Sequence, residues 1–231
     1  MSEFIGMSTY FGFVLSIGAY IIGMYLKKKF KFALLNPLLV SIVIVICVLL
    51  AGSIDYEAYN KGAKYITYLL TPATVALAVP LYEKLQVLKE NFKAIAAGII
   101  TGVVTSFITV LLISIIFSLS HEQYITLLPK SITTAIGMGL SEEMGGIGTL
   151  TTATIVLTGI FGNVIGEKVF SLLRIKSPVA KGLALGSASH AIGTSKALEI
   201  GEVQGAMSSL AIVVTGILTV IVVPIVMNFV G

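Results

Sequence analysis

The chain is 231 residues long, 56% hydrophobic and 11% charged, against roughly 25% charged in an ordinary soluble domain, and its mean hydropathy of +1.02 excludes a soluble globular protein. The net charge is only +4, and the lysines fall in short loops between apolar runs, where a nucleic-acid binder would need a basic stripe on a folded surface. Cys47 is the single cysteine, so no intrachain disulfide forms, and the absence of a Cys–His metal spacing, a Walker loop or a nucleotide fingerprint argues against a metal, a cofactor or an enzyme.

Six charge-free runs are long enough to cross a bilayer, each offering roughly 27 Å or more of helix against a hydrocarbon core of ~30 Å. The first, Phe4–Leu26, follows Glu3 instead of a basic cluster and is too long for a cleaved leader, so it reads as a retained span. Next come Phe32–Ile54 and Tyr65–Tyr82, the latter interrupted by Pro72 and Pro80, and then Ala94–Ser120. Ser131–Ser141 has only 11 residues, in the range of re-entrant segments. Gly145–Gly166 is again a full run, Gly182–Ser195 has 14 residues, and Val203–Gly231 closes the chain. The expected fold is therefore an all-α integral membrane protein, a single polytopic domain with about six transmembrane helices and two short re-entrant or broken-helix segments.

Basic residues orient the runs. Lys27, Lys28, Lys29 and Lys31 follow the first, which puts that loop inside and the N-terminus outside. By alternation Lys84, Lys89 and Lys93 then lie inside. Lys168, Arg174, Lys176 and Lys181 do so only if Ser131–Ser141 enters and leaves on the outer side. The segment 182–195 stays open. Re-entry puts the C-terminus outside, and a crossing puts it inside. Re-entry would let two broken segments approach the midplane from opposite faces, as around transport sites.

Three Thr-Gly pairs recur at a spacing of 57, at Thr101-Gly102, Thr158-Gly159 and Thr215-Gly216, each downstream of a polar or proline-broken patch. Internal, inverted repeats and coincidence among small packing residues are equally compatible with this echo. Pro129, Lys130, Ser131, Thr133 and Thr134 combine a proline with capping hydroxyls and an ammonium, chemistry that suits a half-helix start meeting an anion. Lys130 is equally suited to snorkel to the outer headgroups. In GLALGSASHAIGTSKALEIGE, His190 and Thr194, and likewise Ser195 and Glu199, are spaced i, i+4, while Lys196 and Glu199 are spaced i, i+3. An intramembrane ionisable group such as His190 marks a functional site. A satisfied packing histidine and a solvated Lys196–Glu199 pair are the plainer alternatives.

The blocks LLNPLL, LLTPATVALAVPLY, LLPKSITTAIGM and SHAIGTSKALEIGEVQGAMSSLA, in this order over almost the whole chain, resemble the LrgB/CidB family of bacterial membrane proteins. One departure is KSITTAIG, which lacks the family's usual internal proline, so a softer break is expected there. The resemblance implies a bacterial cytoplasmic membrane location, a peripheral first helix and basic loop (1–31) and a transport core (32–231). It also implies a small LrgA/CidA-type membrane partner, and a homo-oligomer, dimer or higher, is expected.

For function the resemblance implies two different descriptions. One is an antiholin-like or holin-like modulator of murein hydrolase export and lysis. The other, by analogy with the plastid glycolate/glycerate translocator, is a carrier of small monocarboxylates such as pyruvate, glycolate, glycerate or lactate. The polar segments favour the carrier, with H⁺ coupling. On that reading Thr71, Pro72 and Thr74 shape one wall, and Lys130, Ser131, Thr133 and Thr134 form an anion-attracting tip. Ser189, His190, Gly193, Thr194, Ser195 and Lys196 complete the site, with His190 or Glu199 carrying the proton. A regulatory subunit that only scaffolds its partner is a third description.

Overall fold

The computed structural model describes residues 10–30 and 35–230, and the side chains of these except Leu70, Thr71, Thr74, Leu81, Asn228, Phe229 and Val230. The expected start of the first span at Phe4, and Lys31 of the basic loop, lie outside the described residues. The described chain is all helical. Its Cα packing separates two compact units that divide between Ala76 and Leu77.

In the first unit α1 (Phe11–Phe30) carries Lys27, Lys28 and Lys29 in its last turn, where cations oppose the negative end of the helix dipole. α2 (Pro37–Ala51) starts at a proline, and the Asn36 side chain accepts from the N–H groups of Leu38 and Leu39 at 2.9 and 3.3 Å. This pairs donors that a helix start leaves unsatisfied. Gly23 of α1 lies against the Pro37 backbone. Gly12 lies against that of Tyr59 in α3 (Tyr56–Thr67), whose hydroxyl sits 2.8 Å from Ser16 Oγ. The short α4 (Leu70–Ala76) ends the unit.

The second unit contains α5 (Ala78–Glu83), α6 (Leu85–Glu90), α7 (Phe92–Ile116), α8 (His121–Leu127), α9 (Thr134–Glu143), α10 (Gly148–Leu172), α11 (Pro178–Ile200) and α12 (Glu202–Val230). Among the described residues four helices, not six, are long and apolar enough to cross a membrane: α1, α7, α10 and α12. Of the expected span Phe32–Ile54, residues 32–34 lie outside the described residues, and the helix is the 15-residue α2, which begins at Pro37 behind the Asn36 cap and ends before Gly52 and Ser53 (φ 48°). The expected span Tyr65–Tyr82 is divided among α3, α4 and α5. Pro72 and Pro80 each lack the N–H that would bond four residues back, at Tyr68 and Ala76, and the helix breaks just after those positions.

Two segments of this unit reverse direction. In α11 the backbone leaves the helical region at Ser189 (φ −132°, ψ 17°) and His190 (φ 41°, ψ −136°). Before the break, Gly182 and Gly186 pack on the backbones of Gln204 and Ser208, so this arm runs parallel to α12. After it, Thr194 bonds Ser208 and Leu198 packs on Gly205, so the second arm runs antiparallel to α12. Gly193 meets the Leu185 carbonyl across the hairpin. Gly182–Ser195 therefore folds back and does not continue across.

The same construction recurs in α8 and α9. Gly137 of α9 lies beside the Pro129 carbonyl, and Thr126 and Ser141 both reach Thr151 of α10. The arms are antiparallel, and the tip spans Leu128–Thr133. Six residues separate the two helices there, so the break that KSITTAIG was expected to soften is a full interruption.

The two hairpins open at opposite ends of the unit. Lys181 and Ile200, one from each arm of the α11 hairpin, line one cavity with Arg174, and Lys84 pairs with Glu202 at 2.8 Å beside them. The α8–α9 hairpin begins and ends at the other end, between the close of α7 and the start of α10. A side-chain-capping serine precedes each hairpin, Ser120 and Ser177, and the hairpins end at Glu143 and Ile200. Both pairs are 57 residues apart, the spacing of the Thr-Gly pairs.

Helix contact in this unit relies on missing side chains. A Cβ on Gly186 would strike the Ser208 backbone and lie 2.8 Å from the Ala211 Cβ, so α11 would have to lift from α12. Gly186→Ala is expected to lower stability by about 1–3 kcal/mol, read as the thermal midpoint in detergent. Gly139, in α9 with nothing within 4 Å of an added Cβ, provides the contrast. Gly139→Ala should leave the midpoint unchanged or raise it, since alanine is the better helix former by up to about 1 kcal/mol.

Candidate functional site

The α8–α9 tip rests on α7. Lys130 Nζ donates to Ser106 Oγ at 3.0 Å and to Ser131 Oγ at 3.1 Å, and the two hydroxyls are 3.2 Å apart. An ammonium carries three hydrogens, so two are engaged by neutral hydroxyls, and among the described residues no carboxylate forms an ion pair with it. The half-buried cation faces a cavity of about 570 Å³ that runs along α7 from Asn91 past Gly98, Thr101, Thr105 and Ser106 to the tip. The first arm of α11 forms the opposite wall through Leu183, Ala184, Ser187 and Ala188. Thr101, Thr105 and Thr109 are spaced i, i+4, which stacks their hydroxyls on one face of α7. Thr133 is the N-cap residue of α9, without a side-chain capping bond, and Thr134 opens that helix.

The α11 tip rests on α10. His190 is 3% exposed, and its Nε2 lies 2.9 Å from the Ile155 carbonyl, which can only accept. The imidazole therefore carries its hydrogen on Nε2 in this arrangement. Its ring lies over Gly159, where a Cβ would come within 2.7 Å of Cε1. Gly162, one turn on, accommodates Ser189. Asn163 Nδ2 donates to the Ile192 carbonyl at 3.1 Å, beside the break. Thr194 Oγ1 donates to the His190 carbonyl at 3.0 Å, which leaves Ser208 to donate into Thr194 at 2.7 Å.

The expected site residues thus divide. Lys130 and Ser131 meet at one tip, while Thr133 and Thr134 begin the second arm and do not line its cavity. Ser189, His190, Gly193 and Thr194 are buried at the other. Ser195 is exposed. Lys196 pairs with Glu167 of α10 at 2.5 Å and with Glu199 at 3.3 Å. Glu199 lies almost at the open end of the hairpin, nine residues along the second arm from His190. Pro72 is exposed in the first unit, and the side chains of Thr71 and Thr74 lie outside the described residues.

Ser106, Asn163, Glu167 and Ser208 are contact residues that sequence reasoning missed. Their signal was a polar side chain within or beside an apolar run, which marks Asn163 most clearly. The three Thr-Gly pairs acquire a common position. Gly102 backs Ser187, Gly159 backs His190 and Gly216 backs Ile136, so each sits behind a hairpin near its tip. Among the described residues no group of three His, Cys, Asp or Glu side chains could hold a metal ion.

A non-glycine residue at φ 41° is strained by about 1–3 kcal/mol. His190→Gly and His190→Ala both lose the bond to Ile155, but only glycine relieves the strain. The glycine variant should unfold at the higher temperature, by roughly 1 kcal/mol or more. That order reverses the usual preference for alanine within a helix.

The chain matches the model of the LrgB-like family over residues 16–229. Among curated proteins it is 40% identical over 226 residues, 97% of this chain and 98% of theirs, to the antiholin-like protein LrgB of Bacillus cereus strains B4264 and AH187 and of Bacillus anthracis strain A0248. No solved structure matches. With the match covering almost its full length, this multi-pass helical membrane protein belongs to the LrgB-like family.

Proposed function

We propose that the chain is an antiholin-like protein of the bacterial cytoplasmic membrane, one that restrains lesion formation by a small membrane partner of the LrgA/CidA type. The observation that supports this reading is the 40% identity, over 97% of the chain, to relatives that bear the antiholin-like name. That name supports the modulator role better than the carrier role expected from the polar segments. In the membrane, the end of the second unit that holds Lys84, Lys89, Lys93, Lys168, Arg174, Lys176 and Lys181 faces the cytoplasm. The opposite end carries Glu122, Glu142 and Glu143 and no lysine or arginine. The α8–α9 and α11 hairpins then re-enter from opposite faces as the halves of an inverted repeat, a reading supported by the 57-residue offset between their capping serines and between their ends.

A second reading is favoured by one feature of the site: the ammonium of Lys130 held by hydroxyls at a helix interruption, at the head of a largely apolar cavity that Thr101, Thr105, Ser106 and Ser187 also line. A lesion modulator has no evident use for this arrangement. A carrier of small carboxylates does, because irregular backbone in lipid is tolerated where it lines a wet cavity and a desolvated cation attracts a carboxylate.

Liposomes carrying the purified partner, with and without this chain, separate the readings. On the antiholin-like reading the partner alone releases trapped dye, and adding this chain lowers the release several-fold. Unchanged release, together with uptake of labelled pyruvate or glycolate that Lys130→Ala cuts roughly tenfold or more, would transfer the assignment to the carrier. Neither effect would overturn both readings.

A further inference from the structure

The cavity between the end of α10 and the open end of the α11 hairpin has a charge balance that the functions above do not use. It encloses about 360 Å³ and is lined by Arg174, Lys176, Lys181, Ser171, Phe170 and Glu167 among others. Its carboxylate is already taken, because Glu167 pairs with Lys196 at 2.5 Å. Among the described residues neither Arg174, Lys176 nor Lys181 has an ion-pair partner. Lys181 instead stands 6.0 Å from the centroid of the Phe170 ring. Three cations therefore line one hollow whose only carboxylate is itself paired with Lys196.

The surroundings narrow the choice of anion. Leu172 and Leu173, in the turn that carries Arg174, are 82% and 64% exposed, and Phe170, Ile175 and Ile200 give the hollow an apolar side. Charged hollow and exposed leucines together match a molecule with an anionic head and a hydrocarbon tail. Arg174 also occupies a left-handed position (φ 55°) just past the α10 end, where glycine is the common residue. A guanidinium can hold two phosphate oxygens in a fork.

We propose that this cavity binds the phosphate of an anionic phospholipid of the leaflet it faces, with the acyl chains along Leu172 and Leu173. A headgroup there touches residues of α10 and of the first α11 arm, beside Ile200 at the end of the second. It therefore clamps the open end of the hairpin whose tip carries His190. The inference does not depend on any ligand at Lys130.

The full chain, purified from membranes containing phosphatidylglycerol and phosphatidylcholine, is examined by native mass spectrometry for co-purified lipid. Phosphatidylglycerol should be retained in preference to phosphatidylcholine. Each of Arg174→Gln, Lys176→Gln and Lys181→Gln should reduce its occupancy about fivefold. Lys89→Gln, at the same end but outside the cavity, should leave occupancy unchanged, and an unaltered thermal midpoint separates lost binding from lost folding. Equal retention of both lipids, or full retention in a folded triple variant, would overturn the proposal. So would displacement of the lipid by millimolar inorganic phosphate, which would assign the cavity to a soluble anion.

Discussion

A helix interrupted in hydrocarbon exposes peptide groups that lipid cannot satisfy, and each such group costs several kcal/mol. The second unit contains two interruptions, and much of its polar chemistry lies beside them. At the α11 break, Thr194 donates back to the His190 carbonyl, His190 reaches the Ile155 carbonyl, and Asn163 takes the Ile192 carbonyl. At the α8–α9 break, Thr126 accepts from the Ile147 N–H, and its own carbonyl accepts from Thr151, which ties the hairpin to the start of α10. Glycines on the supporting helices let the tips approach closely enough for these bonds to form. The glycine stripe and the polar residues are thus one device.

The two tips share their supports. Ile155 receives His190 on its carbonyl and packs its side chain against Gly137, so α10 touches both hairpins at one fully buried residue. α7 does the same within about one turn, with Gly102 against Ser187 and Ser106 against Lys130 and Ser131. α12 meets one hairpin at Ser208 and the other at Gly216. Three helices thus contact both hairpins at neighbouring positions.

Composition and hydropathy made the membrane class and the long helices α7, α10 and α12 legible in the sequence. The two short segments were marked by length, and lysine placement argued for reversal of the first. Reversal of the second was not legible, because SASHAIG contains no proline. Its break is produced by His190 in a positive-φ conformation, stabilised by contacts with α10 that no local pattern records. Among the described residues four of the six expected spans are long helices, and the other two differ because run length was read as helix length. Prolines divide 65–82, and Gly52 and Ser53 stop α2. Of the candidate site, the first tip was legible from Pro129, its hydroxyls and Lys130, and the second from the ionisable His190 within an apolar run. Ser106, Glu167 and Ser208 were not, because each matters only through a partner on another element.

On the proposed topology the α11 hairpin turns back within the membrane from the cytoplasmic face, opposite the α8–α9 hairpin. Sided labelling of single cysteines tests it most directly, with Cys47 replaced by serine and cysteines placed singly at Glu143, Ser177 and Glu202. A membrane-impermeant maleimide applied to intact cells should label the Glu143 position and spare the other two, and inverted vesicles should show the opposite pattern. Labelling of the Ser177 and Glu202 positions from different sides would mean that α11 crosses the bilayer, and would contradict this account.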